Sequence, residues 1–191
     1  MVSLAKRMLA SRTPGTLATL FSASGSTYRP LGSMTVSLPG ARAGGVTGGR
    51  LEEYVARIGE RNTRETPTLL LHFGTDSNAD EYAPALGCGG SVDLLVERLT
   101  AEHLALLEQY ESVRRRDECS LLVCTVRQTC GAIAVTRTWS SESAEYTRVS
   151  SDAQSFCQAV MRQRISRHAR LDSNTEALVH YVLPPPLCQY G

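Results

Sequence analysis

The sequence has no long apolar run, and none of its stretches approaches the ~18 apolar residues that a membrane-spanning helix requires. The first 13 residues, with Lys6, Arg7 and Arg12, also lack the apolar core and cleavage site of a signal peptide. We interpret this segment as an amphipathic helix and expect a cytoplasmic protein. The net charge is only +1 at pH 7, which argues against duplex nucleic acid or an anionic membrane as partner.

Several functional motifs are also absent. The six cysteines (88, 119, 124, 130, 157 and 188) form no CxxC pair and the four histidines are scattered, so no zinc site is predicted. From Gly44 the chain reads GxxxxG followed by Arg50 and Leu51, without the lysine and hydroxyl of a phosphate-binding Walker loop. No window has the GxGxxG spacing of a dinucleotide-binding turn. In a cytoplasmic protein we expect the thiols to be reduced.

What the sequence does contain is an ordinary globular composition, with 42% hydrophobic and 20% charged residues among 191. Strands and helices are intermixed without regular alternation, which predicts an α/β fold: a mixed sheet with flanking helices, as a single compact domain or two small lobes. We expect a glycine-loop domain at 1–113, and a strand–helix–strand region at 114–191 that completes it and ends at a proline-rich boundary. Predicted strands are 15–24, 34–38, 66–74, 92–99, three runs within 119–150, and 175–183; predicted helices are 1–13, 50–61, 100–116 and 152–168.

Three glycine-bearing loops fall in the first 90 residues: GSTYRPLG (25–32), GGVTGG (44–49) and GCGG (87–90). Glycine leaves the backbone bare, so that amides can approach an anion closely. The second loop leads into a helix, whose N-terminus favours phosphate. Each loop alone is also explained as a plain turn. The three together, with nearby Arg29, Thr47, Arg50 and Cys88, predict a ligand site.

Cys88 is the first choice among the cysteines for a functional role. As a structural residue it would be a small buried filler between turns. As a functional one, its thiolate could ligate a soft metal or hold a sulfur atom in transit, with nearby amides or an arginine lowering its pKa. The other five cysteines fall in strand-like, helical or terminal segments.

The order and spacing of GSTYRPLGSMTV, GGVTGGRLEEYV and ALGCGGSVDLLVERL resemble the N-terminal part of the XdhC/CoxI family, closely over 15–99 and more weakly to Pro186. The resemblance implies an accessory protein that binds the molybdenum cofactor (molybdopterin). Such a protein assists sulfuration of the cofactor and its insertion into a molybdenum hydroxylase such as xanthine or carbon monoxide dehydrogenase. The implied partner is the apo-enzyme; a cysteine desulfurase and a second copy of this chain are further candidates.

The resemblance also implies roles for the loop residues. Tyr28 would stack on the pterin, Arg29 and Arg50 would bind anionic groups, and Cys88 would lie near the metal. The predicted cofactor-binding residues are Tyr28, Arg29, Gly44, Gly45, Thr47, Gly48, Gly49, Arg50, Gly87, Cys88, Gly89 and Gly90. The metal ligand is predicted to be Cys88, and no catalytic residue is predicted.

Two departures from the family pattern keep alternatives open. Arg50 stands where the family commonly has a cysteine, and the Rossmann-like domain that full-length members usually add is not within these 191 residues. A non-enzymatic cofactor chaperone is our main hypothesis. The alternatives are a thiol-dependent sulfurtransferase or oxidoreductase using Cys88, and a degenerate member that serves only in protein interaction. No histidine lies near Cys88 in the sequence to serve as a base.

Overall fold

The computed structural model describes residues 1–48, 50–62, 66–74, 90–116, 119–141 and 151–182. Thirteen helices and strands lie within these ranges. In chain order they are α1 (Val2–Ser11), β1 (Thr16–Ser24), β2 (Met34–Leu38), β3 (Ala41–Gly44), α2 (Arg50–Asn62), β4 (Thr68–Phe73), β5 (Ser91–Arg98), α3 (Ala101–Arg115), β6 (Ser120–Thr129), β7 (Ala132–Ser141), α4 (Ser151–Gln163), β8 (Arg167–Arg170) and β9 (Thr175–Val182).

The strands form two sheets. Sheet A has the order β3-β2-β1-β5-β4 and sheet B the order β7-β6-β9-β8. Every pairing in both is antiparallel. The predicted α/β class is confirmed, and where the sequence predicts one mixed sheet the structure divides the strands between two antiparallel ones. The division at 1–113 and 114–191 stays a prediction, although α3 connects the two sheets near that point.

Sheet A is covered on both faces, which explains its nearly continuous apolar strands. On one face, Leu94 and Val96 of β5 pack with Leu51 and Val55 of α2. On the other, Phe21 and Leu95 pack with sheet B, and α1 and α3 cover the remainder. The strand β1, which is buried from Thr16 to Phe21, is the centre of this arrangement, because Leu17, Leu20 and Phe21 each belong to a different cluster.

Two short strands differ from the sequence-based prediction. Residues 41–44 form β3 rather than a loop, and residues 167–170 form β8 although the helix is predicted to continue to His168. The helix ends earlier because Arg164 adopts a left-handed conformation with φ 55°, which the α-helix does not allow. The predicted strand at 146–150 lies outside the described residues.

In the described part of the chain, no helix is long and apolar enough to cross a membrane.

Candidate functional site

The connections that carry the three glycine motifs leave sheet A at the same end. The register places the end of β1 beside the start of β5 (Ser24 opposite Ser91) and the end of β3 beside the start of β2 (Gly44 opposite Thr35). Since β4 ends opposite Val92, the connection from β4 to β5 begins and ends here too. Antiparallel pairing therefore brings the predicted loops to one end of the sheet.

The first and third motifs meet backbone to backbone. A Cβ atom added at Gly25 would lie 3.0 Å from the Cα of Gly90, and one added at Gly90 would collide with the carbonyl oxygen of Ser24. Gly25 has a φ of 77°, in the region that glycine adopts without strain. Side chains at these two positions would force the β1 and β5 ends apart.

The first and second motifs also meet. The aromatic ring of Tyr28 lies 3.8 Å from where a Cβ of Gly48 would be, and the Arg29 guanidinium lies 3.5 Å from the same point on Gly45. Tyr28 is 73% exposed, the largest exposed apolar side chain in the described ranges. Arg29 is exposed as well and makes no ion pair with the residues that the structure describes. An exposed cation and an open aromatic ring thus lie over this backbone, and Oε1 of Glu52 lies 2.9 Å from the same point on Gly45.

The amides of the second loop are already occupied, which changes the sequence-based interpretation. Glu52, in the first turn of α2, accepts hydrogen bonds at Oε1 from the amides of Val46 (3.2 Å) and Thr47 (3.3 Å). Its Oε2 pairs with Arg42 at 3.3 Å. The loop does bind an anion at its amides, but that anion is the protein's own carboxylate. The amides of Val46 and Thr47 are therefore not free in this structure, and phosphate binding at this loop stays a prediction.

Other predicted residues divide between structural positions and positions outside the described part. Gly44 ends β3 with φ 92°, and the amide of Gly45 donates to the carbonyl of Met34 at 3.0 Å. Thr47 is 7% exposed, and its hydroxyl has no hydrogen-bond partner among the described residues. The predicted residues that fall outside the described part are Gly49, Gly87, Cys88, Gly89 and the side chain of Arg50.

A polar row that the sequence analysis missed crosses three strands at this end of sheet A. Ser22 of β1, Asp93 of β5 and His72 of β4 are register neighbours. The Ser22 hydroxyl donates to Oδ2 of Asp93, and His72 Nδ1 lies 2.6 Å from Oδ1. An ionised Asp93 can only accept, so Nδ1 carries the proton, and Nε2 remains on a ring that is more than half exposed. Nothing in the spacing of 22, 72 and 93 indicates this contact, because it depends on strand order.

Among the described cysteines, the two that are buried have a raised thiol pKa. Burial raises the pKa of Cys124 to about 11, with a smaller opposing effect of Arg137, and burial raises the pKa of Cys157 to about 11. Cys119 accepts a hydrogen bond from Tyr181 at 2.8 Å. Cys130 is exposed, in the two-residue turn between β6 and β7 rather than in a strand. No group of three or more metal-ligating side chains occurs among the described residues.

A solved structure of another protein has a similar fold. The crystal structure of a xanthine dehydrogenase from Bacillus halodurans superposes with a TM-score of 0.56 at 17% identity. The match covers 96% of this chain and 52% of that one, so the chain spans about half the length of that protein. At this identity the likeness shows a shared fold. No curated protein matches the sequence.

The family comparison places the match in the part of the chain that forms the first two motifs. The XdhC and CoxI family profile matches residues 8–74, which run from the end of α1 to the end of β4. The third motif lies beyond this range, yet Gly90 packs directly against the first. The resemblance to the XdhC and CoxI family is thereby confirmed over residues 8–74, which carry the first two glycine motifs.

Proposed function

We propose that this protein is an accessory protein of molybdenum hydroxylases, which binds the molybdenum cofactor at the glycine-loop end of sheet A. In this role it assists sulfuration and insertion of the cofactor and catalyses no turnover of a small substrate. The family match at 8–74 supports the accessory role. The observation that carries the binding role is the position of Tyr28 and Arg29 over Gly45 and Gly48.

The donor set suits the chemistry of this cofactor. A pyranopterin is flat and polar and carries a phosphate; Tyr28 offers an exposed ring for stacking, and Arg29 offers a cation that forms charge-assisted hydrogen bonds. The buried hydroxyl of Thr47, which lies between Gly45 and Gly48 in the chain, has no hydrogen-bond partner among the described residues. Because Glu52 occupies the Val46 and Thr47 amides, the side chain of Arg29 takes over the anion contact that the sequence assigns to those amides. The cofactor would supply molybdenum redox chemistry to the client enzyme.

Cys88 keeps its predicted place as the soft ligand near the metal, on the strength of the sequence alone. The partners in this proposal are a molybdenum hydroxylase apo-enzyme and, for the sulfur atom, a cysteine desulfurase. A second copy of the chain is a further candidate partner.

The test is retention of the released cofactor. Purified protein is mixed with molybdenum cofactor freshly released from a molybdoenzyme and separated by gel filtration, and the oxidised fluorescent pterin is measured in the protein fraction. We expect Arg29→Ala and Tyr28→Ala each to weaken retention roughly tenfold, because each removes a contact worth on the order of 1–3 kcal/mol.

Two matched control variants distinguish a specific site from nonspecific binding to the protein surface. Ile165 is the other large apolar side chain that is exposed in the described part of the chain, at 59%, and Arg7 is an exposed arginine on α1. Ile165→Ala and Arg7→Ala should retain as much pterin as the wild type. A folded wild-type protein that retains no pterin, or equal losses in all four variants, would refute the proposed site.

A second candidate function gains one observation from the structure. The thiol-dependent sulfurtransferase or oxidoreductase needs a base, and the His72–Asp93 pair is a carboxylate-oriented imidazole at the same end of sheet A. If this candidate is correct, Cys88→Ser abolishes turnover and His72→Asn lowers the alkylation rate of Cys88 by iodoacetamide. The chaperone proposal instead expects cofactor retention without turnover and no effect of His72→Asn on that rate.

A further inference from the structure

His180 is a buried histidine that none of the roles above uses. It lies on β9, is 7% exposed, and stacks on Tyr110 of α3 with ring centroids 5.9 Å apart and an interplanar angle of 10°. Its Nε2 lies 3.3 Å from the Tyr110 hydroxyl and its Nδ1 lies 2.9 Å from the Ser166 hydroxyl. Contacts from two other segments of the chain therefore hold the ring in one place.

The loop that carries Tyr28 and Arg29 rests on this ring. Gly32 has φ 84°, and a Cβ added there would overlap Cβ, Cγ and Nδ1 of His180. The bare backbone of Gly32 is thus in van der Waals contact with the imidazole, across from sheet A to sheet B. Gly32 also fixes the loop to β1, because its amide donates to the carbonyl of Leu20 at 2.9 Å.

Short local bonds link this contact to the site residues. The amide and the hydroxyl of Ser33 both reach the carbonyl of Pro30, at 3.1 and 2.7 Å. The hydroxyl of Thr27 donates to the carbonyl of Arg29 at 2.9 Å. With Gly32 only three residues beyond Arg29, a shift of the turn on His180 moves Tyr28 and Arg29 relative to the second loop.

We propose that His180 is a positioning residue of the candidate site, which supports the Gly32 turn and so holds Tyr28 and Arg29 over Gly45 and Gly48. The inference rests on the proposed function for the nature of the ligand. It gives sheet B, which lies outside the family match at 8–74, a role in the site. His180 itself contacts no ligand.

The first test measures, in the absence of any ligand, whether His180 supports the Gly32 turn. Hydrogen exchange of the Gly32 and Ser33 amides is compared in His180→Ala and in Leu121→Ala, a core truncation in the separate cluster under α4. At denaturant concentrations that give both variants equal global stability, we expect these amides to exchange at least about tenfold faster in His180→Ala. Equal rates would mean that His180 acts only on overall stability, and would overturn the proposal.

A second pair of variants keeps the test decisive if His180→Ala folds poorly. Gly32→Ala and Gly131→Ala place the same methyl group at nearly the same φ (84° and 83°), but Gly131 has open space around it. Gly32→Ala should lose cofactor retention roughly tenfold and Gly131→Ala should not, since only the former displaces the turn. If both retain the wild-type amount, the positioning role is refuted while the proposed function stands.

The two proposals fail in different ways. A wild-type protein that retains no cofactor refutes the proposed function. The exchange rates of the Gly32 and Ser33 amides still decide whether His180 supports the Gly32 turn. If the Gly32 and Ser33 amides exchange faster in His180→Ala but cofactor retention is unchanged, the support that His180 gives to the Gly32 turn does not position the site, and the proposal is refuted.

Discussion

At the scale of single residues, burial and hydrogen bonding determine whether a buried titratable side chain is charged or neutral. Burial lowers the pKa of His180 to about 4, and the hydrogen bond to the Leu31 backbone opposes this only in part. Burial alone would raise the pKa of Glu97, but the hydrogen bond of His103 and the charge of Arg137 outweigh it and lower the pKa. The native state therefore holds a neutral His180 and an ionised Glu97.

The neutral His180 predicts a loss of stability in mild acid. The unfolded chain binds a proton near pH 6.5 and the folded chain only near pH 4, so the unfolded state is favoured increasingly as the pH falls between these values. The loss amounts to on the order of 3 kcal/mol across that window. Urea unfolding at several pH values checks this, with His180→Gln as the comparison.

His180→Gln should flatten the pH dependence between about pH 6.5 and 4.5. The contribution of Glu97 is separable, because a lowered carboxyl pKa confers stability above pH 4.5 that is lost as the pH falls further towards the folded value. Parallel curves for wild type and His180→Gln above pH 4.5 would contradict the assignment to His180.

At the scale of elements, the second loop and α2 form one unit through Glu52. The sequence places Glu52 and Glu53 together in the first turn of α2, where the helix dipole stabilises the negative charge of both. In the structure, Glu52 is 9% exposed and turns back to the loop, whereas Glu53 faces solvent. The pair is a matched comparison, since the dipole acts on both.

We expect Glu52→Gln to lower the free energy of unfolding by about 1–3 kcal/mol, because the amides of Val46 and Thr47 and the Arg42 guanidinium lose a charged acceptor. Glu53→Gln should change it by less than about 0.5 kcal/mol. Urea denaturation of both variants measures the difference. Equal effects would show that the dipole, and not the loop contact, explains Glu52.

The same scale shows how far the sequence predicts the structure. The hydrophobic periodicity and the turn residues of the sequence predict the ends of five elements to within about two residues: β1, β2, α2, β5 and α3. The strands β3 and β8 have four residues each, too few to show alternation, and β8 follows a helix end that only the left-handed Arg164 marks. For the site, glycine content indicates the loops, but their meeting depends on strand order, and the contacts of Glu52, His72 and His180 depend on packing across elements.

At the scale of the whole molecule, the two sheets share one core and one buried ion pair. Phe21 and Leu95 of sheet A pack with Cys124, Val126 and Leu178 of sheet B. Glu97 of β5, 4% exposed, receives both Nη groups of Arg137 of β7, and His103 of α3 lies 3.3 Å from its Oε1. These contacts cross the predicted boundary at 113.

We expect the chain to unfold as one cooperative unit. Trp139 is the only tryptophan; it lies on β7 and packs against Tyr110 of α3, so its fluorescence reports the packing of sheet B on α3, while far-UV circular dichroism reports the whole chain. The two urea transitions should coincide, because unfolding either sheet exposes the shared core. Separate midpoints would instead make 1–113 and 114–191 independent domains.

The ion pair provides the sharper test of this coupling. Glu97→Gln leaves the buried Arg137 guanidinium without its counter-charge, at a cost of roughly 3–5 kcal/mol. Glu108→Gln, which breaks the exposed pair with Lys6, should cost no more than about 1 kcal/mol. If Glu97 joins the sheets, its loss lowers both midpoints together and leaves a single transition. A Glu97→Gln protein in which only the Trp139 transition shifts would mean that the packing of β7 on α3 depends on Glu97 while the rest of the chain folds without it.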